Sequence, residues 1–170
     1  MNDQIITVNN MIYKDSLDTE LQESDISLLN SLPLEKVVSV LRTIFDKEHS
    51  SVVKSRAYHA ILSIQKLDKV QFLIDTFGGA SIDWQIAYCR SLAQFHDPRA
   101  ITKLCKVLLE NVDADVRYVA AESLSEIGDS TAVTALEHAQ QNDTGKDFEG
   151  FAIADIARQA LLRIKDRMQS

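Results

Sequence analysis

The chain has 170 residues, 45% apolar and 25% charged, which excludes a disordered or low-complexity segment and suits a single domain over 1–170. With 25 acidic against 18 basic side chains the net charge is −7, so the average field opposes a phosphate backbone and no nucleic-acid partner is expected. Five glycines and two prolines disfavour a many-stranded fold. No apolar run nears the roughly 20 residues that span a bilayer and MNDQIITVNN lacks a leader pattern, so an all-α chain in the cytoplasm, away from membranes, is expected.

Residues 1–13 carry no clear period and are expected to form a loose N-terminus. A capping helix pair is expected over 14–49. Its first helix, Leu17 to Asn30, has Leu21 and Leu28 diluted by Asp18, Glu20, Glu23 and Asp25, which suits the solvent-facing end of a stack. Its second, Leu34 to Glu48, sets Val37, Val40, Leu41, Ile44 and Phe45 at helical spacing behind Pro33.

From residue 50 onward a repeat organises the chain. A shift of 32 (124 − 92) places Leu124 on Leu92, Val116 on Trp84, Ile127 on Phe95, Asp129 on Asp97 and Leu136 on Leu104. A further 31 back, Val53, Ala57, Ile61, Ile64, Val70 and Leu73 keep the apolar skeleton. Forward by 37, Ile153, Ile156, Ala157, Leu161 and Ile164 repeat it after about five extra residues. Each unit reads as two amphipathic helices. Asp97 is placed to cap one second helix with Pro98 at its first position, and Gly128 to end the next first helix with Asp129 or Ser130 capping its partner. The expected fold is a right-handed α-solenoid of about four to five antiparallel helix pairs.

The run Asp115, Val116, Arg117, then Ala120 and Ala121, Leu124, Ile127-Gly128-Asp129, Ala132, Val133 and Leu136 resembles the HEAT-like repeat of the phycobilisome-lyase type. IAYCRSLAQFHDPRAITKL fits with Phe95 and His96 replacing the Ile-Gly pair, and the resemblance covers about residues 50–166. It implies a short solenoid in a class whose members mostly bind proteins and include bilin-lyase subunits. The matched positions are core and capping ones, so the resemblance carries over no catalytic residue.

No other pattern points to chemistry. Cys89 and Cys105 lack metal or redox spacing and read as small buried side chains. His49, His59, His96 and His138 form no His-Glu pair, and no phosphate loop or nucleophile elbow occurs, so neither cofactor nor metal is expected and the chain reads as no enzyme. Asp97, Asp115 and Asp129 lie near helix starts, where capping explains them.

Surface remains. On the second helix of the best unit the outward positions are Lys103, Lys106 and Glu110; the repeat shifts carry these to Ala135, His138 and Asn142 and back to Phe72 and Asp75. The longer loop at 141–151, within QNDTGKDFEGFA, adds Lys146, Asp147, Phe148 and Phe151. The two phenylalanines either seal the stack over the terminal helix or meet a partner. The expected role is an adaptor or scaffold, monomeric or a small oligomer, that binds a protein through the concave second-helix face and the 142–151 loop. The alternatives are a subunit handling a bilin or a bilin-bearing protein, and an acidic inhibitor that neutralises a basic toxin through its N-terminal helix.

Overall fold

The computed structural model describes residues 2–14, 20–47 and 50–169. The expected helix start at Leu17, and His49, lie outside them. Among the described residues the regular structure is all helical, apart from one isolated antiparallel bridge between Lys146 and Ala152. No helix among them is long and apolar enough to cross a membrane. The sequence reading treats 1–170 as one domain; the contacts divide the chain into two compact units, Met1–Lys69 and Val70–Ser170.

The first unit holds α1 (Asn2–Ile12), α2 (Glu23–Ser31), α3 (Leu34–Lys47) and α4 (Ser51–Ser63). Its N-terminal stretch is a correction: residues expected to be loose form α1, which packs on α3 and α4. Val8, Met11 and Ile12, spaced i, i+3 and i+4, are buried, and one short stripe is too little to register as a period in sequence. The packing is reinforced by Arg56 of α4, only 1% exposed, whose Nη1 donates to the carbonyls of Ile12 (2.6 Å) and Lys14 (3.1 Å). A guanidinium there supplies donors to carbonyls at a helix C-terminus and opposes its partial negative charge. The acidic helix starts later than expected, at Glu23, and buries Leu29. Asn30 ties it to α4 by donating to the Ser63 carbonyl and accepting from the Gln65 amide. His59, open to a chemical role in the sequence, accepts from the Leu21 amide at 3.0 Å.

The second unit contains α5 (Lys69–Thr76), α6 (Ile82–Gln94), α7 (Pro98–Glu110), α8 (Ala114–Ile127), α9 (Val133–Asn142) and α10 (Ile153–Gln169). The first helices α6, α8 and α10 pack in a row, and α7 packs beside α9. The broad helix contacts run across the links between repeats, α7 on α8 and α9 on α10. Leu92, Leu104, Ala120, Leu124, Leu136, Ala157 and Ile164 are all fully buried, so the periodic positions form the core. Each buried leucine contributes on the order of 2 kcal/mol.

The junctions follow local chemistry. Asp97 accepts from the Arg99 amide at 2.8 Å and Pro98 opens α7. Asp129 accepts from Thr131 in the short 3-10 turn before α9. Gly128 ends α8 with φ −60°, an angle any residue adopts, so the need for glycine lies in space: a Cβ there would collide with the Leu124 carbonyl and sit 2.8 Å from Ile164. In the equivalent junction His96 takes φ 50°, in the left-handed region that residues other than glycine rarely adopt.

Candidate functional site

Two links join successive repeats on one edge of the second unit, and Arg117 of α8 holds both. Across 111–113, its Nη1 donates to the carbonyls of Asn111 (2.9 Å) and Val112 (3.1 Å). Toward 143–152, its Nε and Nη2 grip the Asp143 carboxylate at 2.8 and 3.2 Å, with side chains 16% and 13% exposed. Burial alone would raise the Asp143 carboxyl. The Arg117 hydrogen bonds, the Gly145 amide and the charges of Arg117 and His138 outweigh it and hold the group below the usual carboxylate range. The hydrogen bonds it donates to Asp143 likewise raise Arg117. Asp143 Oδ1 also accepts from the Gly145 amide at 2.8 Å, which begins the longer link in a fixed conformation.

Beyond that clamp the chain makes a small hairpin. Asp147 and Phe151 exchange hydrogen bonds: the Asp147 amide donates to the Phe151 carbonyl, and the Phe151 amide to the Asp147 carboxylate at 2.8 Å. The Glu149 amide also donates to that carboxylate, and Gly150 closes the turn at φ 92°, where glycine is favoured. The tip is fastened to α8 because the Phe148 amide donates to Asp115 Oδ1 at 2.7 Å. Here the sequence expectation is corrected. Asp115 does not cap α8; Asp113 does, accepting from the amides of Asp115 and Val116, which frees Asp115 to hold the hairpin.

The hairpin presents its two aromatic side chains to the outer face of α6 and α8. Phe148 is 83% exposed and Phe151 is 56% exposed, its ring 6.5 Å from that of Tyr118. They border a groove of about 430 Å³ whose other walls include Ile86, Arg90, Tyr118 and Glu122. Four carboxylates (Asp115, Glu122, Asp147, Glu149) and one guanidinium line it. Burial first, and then the charges of Glu122, Asp147 and Glu149, push the Tyr118 phenol upward.

The residues proposed from sequence do not form one surface. Asp147, Phe148 and Phe151 line this groove, and Lys146 lies exposed at its hairpin base. Glu110, His138 and Asn142 meet instead in a separate cavity of about 490 Å³ beside Arg117. Lys106 is exposed and pairs with Glu110 at 3.7 Å, while Asp75 accepts from Gln71 at 2.7 Å. Lys103 is half-buried with its ammonium 4.5 Å from the Phe77 ring centroid, and burial, then Lys106, lowers its pKa. Phe72 is a correction: expected to point outward, it is 3% exposed. With Val70 and Leu73 also buried, α5 hides a wider face than the stripe of α7 implies, and Ala135 is buried for a similar reason. Cys89 is buried as expected and Cys105 half-buried; burial pushes their thiols up to about 12 and about 11.

The sequence reading explains Asp115 by capping and places outward positions on second helices, so Tyr118, Glu122 and the double role of Arg117 carry no mark in it. The 32-residue shift contains the signal, since it places Tyr118 on Ile86 and Glu122 on Arg90, all four facing the groove. Among the described residues no cluster of three or more His, Cys, Asp or Glu is arranged to hold a metal ion.

No curated protein matches the sequence significantly. A family model for HEAT repeats matches residues 70–154, half of the chain, and spans α6–α9 with both links. The repeat arrangement and that match agree, and the chain belongs to the HEAT-repeat family.

Proposed function

We propose that the chain is a non-enzymatic protein-binding module whose contact lies where the 143–152 hairpin meets the outer face of α6 and α8. HEAT repeats are generally scaffolds for protein interaction, and one observation supports this position above others: Phe148 stands 83% exposed on a turn already hydrogen-bonded to itself and to Asp115. An exposed aromatic on a preorganised support is suited to be a binding hot spot, because little ordering entropy is lost when a partner covers it. The raised thiols of Cys89 and Cys105 are kept protonated, which suits packing rather than nucleophilic chemistry in a reducing cytoplasm. The finer likeness to the phycobilisome-lyase repeat rests on core and capping residues, and a bilin's acidic arms would meet four carboxylates in this groove. A protein partner is therefore preferred.

The test is affinity capture with the full chain and two variants. Phe148→Ala with Phe151→Ala should lower recovery of the captured partner about tenfold or more, whereas Leu162→Ala, exposed on α10, should not. Both should melt like the parent, since the side chains removed are exposed. Equal recovery from all three would overturn the assignment of this face.

A further inference from the structure

The chemistry of the groove narrows the partner, on the premise that this face is the binding face. We propose that the groove takes a basic segment of a partner protein, in which arginine or lysine alternates with apolar side chains.

Three observations support this choice. The first is charge: Asp115, Glu122, Asp147 and Glu149 face the groove against Arg90 alone, and the chain as a whole carries −7. Such a surface steers cationic segments toward itself and repels acidic ones. The second is the aromatic content. Tyr118, Phe148 and Phe151 offer π faces, and the Tyr118 and Phe151 rings are tilted 34° to each other. A guanidinium or ammonium beside such rings gains cation–π attraction in addition to the carboxylate field. The third is fixed geometry. Asp115 and Asp147 hold the hairpin through backbone amides, so charges and rings are in position before a partner arrives. Ile86 and Val119 supply apolar wall between the charged groups, which favours alternation over a purely basic run.

The experiment uses three short fluorescent peptides of equal length, alternating Arg–Leu, Gln–Leu and Glu–Leu, titrated into the full chain. The Arg–Leu peptide should bind about tenfold more tightly than Gln–Leu, with Glu–Leu weakest. Its advantage should shrink as salt shortens the Debye length below about 10 Å. Glu122→Gln with Glu149→Gln should reduce that advantage about fivefold and leave Gln–Leu binding unchanged. A site-specific readout comes from the Tyr118 ring signals in a nuclear magnetic resonance titration. Arg–Leu binding should shift those signals, and because burial first and then nearby carboxylates push the phenol up, its titration point should lie lower in the Arg–Leu complex than in the Gln–Leu complex, which covers the ring without adding positive charge. Arg–Leu binding that leaves Tyr118 unmoved would overturn the groove as the site. Equal binding of Arg–Leu and Gln–Leu, with loss of both in the Phe148→Ala, Phe151→Ala variant, would overturn the basic-segment inference while leaving the binding face intact. If that variant binds every peptide like the parent, both readings fail.

Discussion

The two links that follow α7 and α9 begin at equivalent points of the repeat and end differently. The first, 111–113, runs directly into α8: Asn111 donates to Gln85 and accepts from the Asp113 amide, and Asp113 caps the helix. The second, 143–152, lifts away as a hairpin, rests its tip on Asp115 and displays two phenylalanines. One guanidinium holds both. In the first link it bonds only to carbonyls, whereas in the second it meets a carboxylate that in turn orders the next amide. A repeat thus gains an exposed aromatic hairpin by extending a link beyond a clamp the repeat already uses. The core beneath is unchanged by the extension: Val116, Ala120 and Leu124 have buried counterparts at Ile153, Ala157 and Leu161.

Breaking the shared clamp should have the largest effect. Arg117→Met leaves Asp143, 13% exposed, without its cation and frees both links, at a cost of about 2 kcal/mol in urea denaturation. The pH dependence has a defined sign. Because the folded Asp143 carboxyl lies below its usual value, its contribution is complete above about pH 4 and is lost as pH falls through the lower folded value. The stability gap between parent and Arg117→Met should therefore narrow as pH drops below about 4; a constant gap would mean that the pair contributes nothing.

Gly145→Ala should crowd the clamp from the side of the longer link. The added Cβ would lie 2.5 Å from Arg117 Nη2 and 2.9 Å from both Asp143 Oδ1 and Ile153 Cδ1, for a loss of about 1–2 kcal/mol by thermal melting. A variant as stable as the parent would show that the clamp has slack. Asp115→Ala removes the acceptor for Phe148 and should cost about 1 kcal/mol locally. The Phe148 amide should then exchange with solvent about fivefold faster, with the amides of the 111–113 link unchanged. Asp115→Asn, which keeps an acceptor oxygen, should restore protection. The smallest effect is a gain at the junction inside the regular repeat. His96→Gly relieves a left-handed backbone at some cost in chain entropy and should stabilise by about 0.5 kcal/mol.

Much of the repeat was legible because its determinants are local. Asp97 with Pro98, and Gly128 with Asp129, announce helix boundaries within a few residues, and the 32-residue shift aligns positions that prove to be core. Misreadings arose where burial came from more than one side or from far along the chain. Phe72 reads as outward on a single-stripe helix and is buried on a wider face. The N-terminal stretch reads as loose because α1 depends on α3, α4 and the carbonyl bonds of Arg56, more than 40 residues away in sequence. Of the candidate site, the hairpin phenylalanines stood out as an interruption of the period, but their neighbours Tyr118 and Glu122 did not, since they look like ordinary outward positions of a first helix.

Helicity, the recurrence of the helices as repeats and the leucines that fill their core, such as Leu92, Leu104, Leu124 and Leu136, are written locally in the sequence, because helix capping and amphipathic spacing act over one or two turns. Three pairings lie beyond that reach: Arg117 meets Asp143 across 26 positions, Asp115 holds a hairpin rather than a helix end, and Tyr118 and Phe151 share one groove. Such pairings depend on how α8, α9 and α10 pack, and no local preference along the chain specifies which side chains that packing brings face to face.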